Sequence, residues 1–402
     1  MTALQLSHSI RVIGVGGGGS NAVDRMIQVG IAGVDFIAAN TDVQALRLSE
    51  SCNTLHLGPR ATRGLGAGAD PAVGARAANE SKALIEEACQ GTELLFITAG
   101  MGGGTGSGAA PKIAHVARAN GAVVVGVVTM PFAFEGTRRR SNADAALEAL
   151  REEVDTLVVV HNDRLLQILD PQHARMDIAF RVADECLRQA IEGITNLIHS
   201  SGVINLDFAD LKSVLRDGGL GHFAIGYGQG EDAAQEAMRR ALSSPLLGRD
   251  GIEGAQAVVV NFQGSDEMSL YDVKQAMEPV NRLVADEAPI FFGTSVDAAL
   301  GERVEVTLMA VGLDSMATSS VSSSFTRNTS ATAPRPADRH VPTEERENEA
   351  PKIIPIREAK AAPAPERPWH VAASPLSEED EPYPMDELSI PAFLRRRKRV
   401  TA

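Results

Sequence analysis

The sequence predicts an α/β fold: a doubly wound, mostly parallel sheet, then a long central helix, a smaller α+β C-terminal domain and a disordered tail. Three observations carry this. Short runs rich in Val and Ile are apolar throughout rather than alternating, as strands covered on both faces are. Segments with helical spacing separate them, giving a β-α-β-α order. After residue 316 the composition turns to Ser, Thr, Ala, Pro, Glu and Arg with no sustained apolar period.

The expected strands of the first half are "IRVIGVG" from Ile10, "VDFIAAN" from Val34, "ELLFITAG" from Glu93, "AVVVGVVTMP" from Ala122 and "TLVVVHN" from Thr156. Helical spacing marks "SNAVDRMIQVG" from Ser20 and "DPAVGARAANESKALIEEACQG" from Asp70. A long helix is expected from about Met176 to His199. Its apolar positions Ile178, Val182, Cys186, Ala190, Ile194 and Leu197 recur every three or four residues. The second region has a helical stretch, "GEDAAQEAMRRAL" from Gly230. It also has three strand-like runs: "AQAVVVNFQG" from Ala255, "APIFFGTSV" from Ala288 and "RVEVTLMAVG" from Arg303. It ends near Gly312.

The chain has 402 residues, 44% of them hydrophobic, enough for one large or two medium domains. No run approaches the ~18 apolar residues of a spanning helix, and the N-terminus lacks a basic-then-apolar signal layout. A cytoplasmic protein is expected. Cys52, Cys89 and Cys186 are isolated thiols without metal spacing, expected to pack as small apolar residues. Trp369 falls in the tail and is not expected in a core. The net charge is −14. From Ala317 onward there are 13 basic and 13 acidic residues, so the preceding body carries the whole deficit. An acidic body disfavours nucleic acid as a partner. It leaves room for a small anion, which backbone amides can bind.

Two glycine-rich turns follow strands. The first is "GVGGGGSNAV", Gly14 to Val23; the second, "GMGGGTGSGAAP", Gly100 to Pro111, holds six glycines in twelve residues. Glycine lets amides approach a ligand closely, and a turn that opens a helix adds the positive end of its dipole. Gly14, Gly16 and Gly19 satisfy G-x-G-x-x-G. That pattern alone leaves a dinucleotide, a mononucleotide or a structural turn open. A dinucleotide site usually has an acid at the end of the second strand; here that strand ends in Asn40, and the next acid is Asp42. The second glycine turn suits a longer anionic tail. No G-x-x-x-x-G-K-[ST] occurs, so there is no P-loop lysine. Asp207 and Asp210, in "NLDFAD", are three residues apart. They either cap the helix "LKSVLR" or activate water for phosphate hydrolysis. They follow the long helix, far along the chain from the first glycine turn. As hydrolytic groups they would serve a nucleotide on another subunit.

"GGGTGSG" from Gly102, with "GVGGGGSNAV", "NTDVQAL", "TRGLGAGADPAVG", "PFAFEGTRRR", "NLDFAD" and "SSPLL" in the same order, resembles the tubulin/FtsZ family over about residues 10–313. The end, "LSIPAFLRRR", resembles the short peptide by which family members meet membrane-tethering partners. The resemblance implies a GTPase that polymerises head-to-tail and forms the cytokinetic ring at the division site beneath the inner membrane. It implies GTP/GDP and Mg2+ as ligands, the ion being held mainly by the phosphates. The implied domains are residues 1–175 (GTP binding), 176–200 (central connecting helix), 201–316 (GTPase-activating), 317–384 (linker) and 385–402 (partner peptide with a basic end).

Matching motifs put Gly17, Gly18, Gly19, Ser20 and Asn21 at the nucleotide, and Gly104, Thr105 and Gly106 around its phosphates. Ala69 and Asp70 would lie by the γ-phosphate. Glu135 and Arg139 match ribose and phosphate contacts. Phe180 would stack on the base and Asp184 would pair with its N–H edge. Asp207 and Asp210, with Asn205, would complete the active site of the neighbouring subunit. Ile390, Pro391, Phe393, Leu394 and Arg395 match the partner-binding peptide. Regulatory division proteins and membrane tethers are the implied partners. "RRRKR" adds weak attraction to anionic lipid, at about 1 kcal/mol per basic residue near the surface. The sequence departs from the family pattern at Asp70 and Glu185, where Asn is common, at His161, and at His222, Ile225 and Tyr227. An extra anion at Asp70 would weaken nucleotide binding or alter its Mg2+ dependence. Two other readings stand beside this one: a dinucleotide-dependent oxidoreductase, and a specialised paralogue that co-assembles.

Overall fold

The computed structural model describes residues 9–313 except 32, 52, 167–175, 200–206, 248–250, 266–267, 286 and 298–299. Asn205, Cys52, the linker with Trp369, and the C-terminal peptide with Ile390, Pro391, Phe393, Leu394 and Arg395 lie outside the described residues. The chain runs β1 (Ile10–Val15), α1 (Gly16–Val29), β2 (Val34–Asn40), α2 (Val43–Leu48), β3 (Asn53–His56), α3 (Pro59–Thr62), α4 (Pro71–Glu80), α5 (Lys82–Cys89) and β4 (Leu94–Gly100). It continues through α6 (Thr105–Ala119), β5 (Val123–Met130), α7 (Thr137–Arg151), β6 (Thr156–His161), α8 (Asn162–Leu165) and α9 (Met176–His199). The last part is α10 (Phe208–Leu215), β7 (Gly219–Gln229), α11 (Ala233–Leu242), β8 (Ala257–Gly264), α12 (Leu270–Leu283), β9 (Ile290–Val296) and β10 (Arg303–Val311).

The strands form one sheet in the order β3-β2-β1-β4-β5-β6-β7-β10-β8-β9. From β3 to β7 every pairing is parallel. β10 runs antiparallel between β7 and β8, and β9 is parallel to β8. The two halves join through a short register, Thr156–Val158 against Gly219–Gly221. The helical stretch read from Asp70 to Gly91 is two helices. Ser81 sits between them and accepts a hydrogen bond from the Gly58 amide at 2.9 Å.

The sheet is covered on both faces. One face of the first half packs α4, α5, α6 and α7 through residues such as Ala77, Ile85, Ile113 and Leu150. The other packs α1, α9 and α10. On α9 the buried Leu187, Ala190, Ile191, Ile194 and Leu197 share one core with Val12 and Phe96 of the first half and Val259, Met309 and Val311 of the second. A single helix thus bridges both halves. α11 and α12 cover the opposite face of the second half. There α11 lies so close to β7 that a Cβ at Gly226 would fall 1.9 Å from the Ala237 carbonyl oxygen, and one at Gly228 would fall 1.8 Å from that of Ala233. Cys89 and Cys186 are buried free thiols. Burial pushes them up to about 11 and about 12, so neither is a thiolate at neutral pH.

Between α9 and the second half of the sheet lies a polar cluster. Arg188 makes a two-pronged contact with Glu185 (2.6 and 2.9 Å) and also binds Glu192. Gln189 donates to the Tyr227 hydroxyl at 2.8 Å. Tyr227 is the cross-strand neighbour of Glu305 and is hydrogen-bonded to it. Two carboxylates thus bind one guanidinium, and its charge also acts on Glu305 across the interface, where unpaired charge is costly. Burial and the Glu192 charge raise Glu305 to about 7, against the pull of Arg188 and Tyr227; Glu185 adds to the rise.

A raised folded-state pKa means that the fold favours the protonated acid. The stabilising effect is complete below the unfolded value near 4.5 and is lost as pH rises through about 7. Glu305→Gln should match wild type at pH 4 and be more stable at pH 8.5, by about 3 kcal/mol at the ~1.4 kcal/mol per unit scale. Urea midpoints at the two pH values test this; equal midpoints at pH 8.5 would contradict it.

Candidate functional site

In an open parallel sheet, ligands bind beyond the carboxyl ends of the strands, where strand order reverses. Here that point lies between β1 and β4. Each of these strands runs into a helix, α1 directly and α6 after the turn at residues 101–104. Neither helix has a side-chain hydrogen bond at its N-cap, Val15 or Gly104, or an acid in its first turn. The two ends are in contact. A Cβ at Gly16 would fall 2.9 Å from the Gly106 nitrogen, and one at Gly18 would fall 3.4 Å from Gly100 Cα. Two sets of N–H groups left without intrahelical partners, with two positive dipole ends, thus converge on one place. That is the chemistry of a phosphate site.

The glycines divide by what surrounds them. A Cβ at Gly19 would lie 2.3 Å from the Thr98 carbonyl oxygen, and one at Gly106 would lie 2.7 Å from that of Gly100. The chain's own packing excludes side chains there. At Gly17 and Gly103 nothing lies within 4 Å, so packing does not require glycine. Bare backbone at those two positions suits the close approach of a ligand. Ser20 is buried at 3% exposure and its hydroxyl has no partner among the described residues. Thr105 pairs its hydroxyl with that of Thr41 at 2.6 Å.

At the α4 side, Asp70 accepts from the Ala72 amide at 2.9 Å and so caps α4. The departure from Asn is met by a capping role that Asp and Asn fill equally well. Ala69 has φ of +60°, unusual for a residue with a side chain. At the α9 side, Phe180 is 38% exposed and stands edge-on to Phe132, with centroids 5.3 Å apart. Phe132 in turn stacks on Phe134 at 5.0 Å. Asp184 is half-buried. Burial lifts its carboxyl to about 7 against the pull of Arg25 on α1, and Glu185 adds to the rise. Glu135 is ion-paired with Arg139 at 3.0 Å and accepts from the Phe132 amide at 2.8 Å. Asn21, one turn before Arg25 on α1, is exposed.

The structure thus groups these positions around the β1–β4 crevice, in the order α9, α1, α6, α4. Asp207 and Asp210 are elsewhere. Both are exposed, and Asp207 caps α10 by accepting from the Ala209 amide at 3.1 Å. α10 is tied to the amino ends of the strands. Lys212 pairs with Glu93 at 3.5 Å just before β4, and Thr156, the first residue of β6, donates to the Leu215 carbonyl at 2.6 Å. β4 alone separates the two ends of the sheet by roughly 20 Å of strand rise. The acids and the glycine turns lie at opposite ends of one chain.

One residue escaped the sequence reading, and another, Asn40, was named there without its role. Asn162 opens α8 and is 5% exposed, with a side-chain oxygen that has no partner among the described residues. Leu165 of the same helix shares a small core with Phe132, Ala179 and Ala183. The "ND" pair after β6 was the available signal. Asn40 turns its side-chain oxygen to the amides of Thr41 (2.8 Å) and Asp42 (3.3 Å). It shapes the backbone where a dinucleotide site would place a ribose-binding acid. His161 is held below its usual range by burial and by Arg164 and Arg140, so it is neutral at pH 7.

Residues 9–170 match the Tubulin/FtsZ family GTPase domain, and residues 219–314 match the FtsZ family C-terminal domain. Among solved structures, an empty FtsZ dimer of M. jannaschii is 40% identical. The match covers 78% of this chain and 90% of that one, with a TM-score of 0.74. A GTPγS-bound protofilament of CetZ2 from Haloferax volcanii, 21% identical, shares the fold at a TM-score of 0.65 over 76% of this chain and 94% of that one.

Two tests follow from this geometry. Gly19→Ala should lower the melting temperature because its Cβ would strike the Thr98 carbonyl. Gly17→Ala should melt with wild type yet bind GTP at least tenfold more weakly, a loss of about 1.4 kcal/mol. Normal GTP binding by Gly17→Ala would remove that residue from the site. Asp184 is expected to accept two N–H groups of guanine only when ionised. Wild-type affinity should then fall up to tenfold per unit as pH drops below about 7. Asp184→Asn should bind weakly and lack this added dependence, as titration calorimetry from pH 8.5 to 5.5 would read. Parallel pH profiles for the two proteins would rule the carboxylate out.

Proposed function

The chain belongs to the tubulin/FtsZ family of GTPases, and on that footing we propose that it binds and hydrolyses GTP in a head-to-tail filament whose active sites form between neighbouring subunits. The observation that carries this reading is the separation within one chain. The phosphate-binding helix ends lie at the carboxyl edge of the sheet, and the exposed Asp207 and Asp210 lie at its amino edge.

In this reading the N-terminal amides of α1 and α6 hold the phosphates, with Ser20 and Thr105 beside them. Phe180 covers one face of guanine and Asp184 accepts from its N–H edge. Glu135 and Arg139 contact ribose and phosphate. The helix ends offer N–H donors, which suit phosphate oxygens and not a cation. Mg2+ would therefore be carried by the phosphates and would offset their charge, as phosphoryl transfer requires. Stacking a second subunit on the nucleotide end brings its Asp207 and Asp210 over the last phosphate, with Asn205 alongside. These carboxylates accept hydrogen bonds from a water and orient it. The water oxygen bonds to the γ-phosphorus, and the bond to the β–γ bridging oxygen breaks. GDP departs, and the proton from water ends on phosphate or solvent.

A contact between unlike ends does not close on itself, so repetition gives a filament. The empty FtsZ dimer supports self-association of such chains. The role extends to the cytokinetic ring at the division site, with the 385–402 peptide meeting tethering and regulatory division proteins. The basic end would add a weak attraction to anionic lipid.

Asp210→Ala should bind GTP as wild type does while hydrolysis falls by roughly 100-fold or more, the scale on which a positioned acid–base group acts. Wild-type activity per chain should rise with protein concentration, and mixtures with the variant should give non-additive rates. Normal turnover by Asp210→Ala, or activity per chain that stays flat with concentration, would sink the shared site.

A further inference from the structure

We propose that Gly74 and Asn142 are positioning residues that set how strongly the site prefers a nucleoside triphosphate over the diphosphate, by fixing the loop at residues 63–70. The inference rests on the nucleotide reading above. With the base at Phe180 and Asp184, the phosphate chain runs from the α1 end to the α6 end. The next element along that line is the 63–70 loop. A Cβ at Gly104, at the α6 end, would fall 2.8 Å from Ala67 Cβ and 2.9 Å from the Asp70 nitrogen. This loop therefore meets the last phosphate of a triphosphate, the group that a diphosphate lacks.

The loop does not hold its own shape at low cost. Arg63, Gly64, Gly66, Gly68 and Ala69 all have positive φ, and two of these are not glycine. Such residues persist where surrounding contacts over-determine them. The amide of Val43 donates to the Gly64 carbonyl at 3.1 Å and that of Gly66 to the Thr41 carbonyl at 3.2 Å, which fixes the first half of the loop. Two further contacts from outside fix its end beside Gly104. The first is Gly74 on α4, where a Cβ would sit 2.3 Å from the Gly104 carbonyl oxygen and 3.2 Å from Thr105 Cα. One turn along, a Cβ at Gly108 would sit 2.0 Å from the Pro71 carbonyl oxygen. α4 is thereby seated directly on the first turn of α6, and its N-cap Asp70 is drawn to the phosphate end. The second contact is Asn142, which donates to the Ala69 carbonyl at 3.4 Å. It lies one turn beyond Arg139 on α7, and the Arg139 backbone covers Gly102, where a Cβ would meet its carbonyl oxygen at 2.6 Å. α7 thus fixes the loop relative to the glycine turn before α6. Neither Gly74 nor Asn142 belongs to the set expected to touch nucleotide.

Any side chain at position 74 must push α4 away from Gly104. Removing the Asn142 amide frees the Ala69 carbonyl. Both changes displace the loop and leave the α1 end untouched. The test is titration of the full chain with GDP and with a non-hydrolysable GTP analogue, at protein concentrations below assembly, alongside thermal melts. Asn142→Ala should melt with wild type. It should lose about fivefold in affinity for the triphosphate, the scale of one neutral hydrogen bond, and keep its affinity for GDP. Gly74→Ala should lose more triphosphate affinity and again spare GDP. If Gly74→Ala fails to fold, Asn142→Ala decides alone. An unchanged triphosphate-to-diphosphate ratio in Asn142→Ala would overturn the proposal, whether both affinities hold or both fall together. Absence of any guanine-nucleotide binding by wild type would instead overturn the nucleotide reading beneath it.

Discussion

Everything at the candidate site depends on two helix N-termini meeting without side-chain caps. A helix leaves its first N–H groups unsatisfied, and proteins commonly answer with Ser, Asp or Asn at the N-cap. This chain does so at α2, α4, α10 and α12, using Asp42, Asp70, Asp207 and Ser269. At α1 and α6 it places Val15 and Gly104 instead. The reversal of strand order sets these two ends side by side, and the glycines let their backbones touch. The arrangement leaves donors for an external anion, and the first turns of α1 and α6 carry no basic side chain of their own.

The same constraint orders the rest of the molecule. α9 packs against α1 and so carries Phe180 and Asp184 to one side of the crevice. α4 packs against α6 and carries the 63–70 loop to the other. α9 then continues into the shared core of the second half. Beside its apolar contacts, α9 meets that half through polar groups: Gln189 donates to Tyr227 of β7, and the charge of Arg188 acts on Glu305 of β10. Buried polar contacts of this kind add little net stability, and removing one partner alone is costly. The junction is therefore sensitive to register, because each donor must find its acceptor.

How much of this the sequence carried varied by element. β1, β2 and β4 to β6 were legible because strands covered on both faces are apolar at every position. α9 was legible from its spacing. β7 was not, because four of its eleven residues are glycine. Glycine has poor strand propensity, and at Gly226 and Gly228 it is present because α11 leaves no room for side chains. The Asp70–Gly91 segment read as one helix because the break at Ser81 rests on a hydrogen bond from a distant amide. Within the site, the motifs picked out positions that the fold gathers at the β1–β4 crevice. They could not separate Gly19, where packing forbids a side chain, from Gly17, where space is free. Nor could they show Asp184 lifted toward neutrality by burial. Those properties come from residues far apart in sequence, which only the fold brings into contact.

The placement of the two acids at one pole and the anion site at the other has a consequence for counting. In the filament we propose, a row of n such chains would hold n − 1 completed sites, because the last chain at one end would have no neighbour to supply carboxylates. That terminal nucleotide would not be hydrolysed and would stay open to exchange with solvent, so a growing end would renew its own triphosphate cap. The row would also be directional, since its two ends would expose different chemistry. Short rows would spend a larger share of their length on the idle end than long ones, so turnover per chain would report mean length.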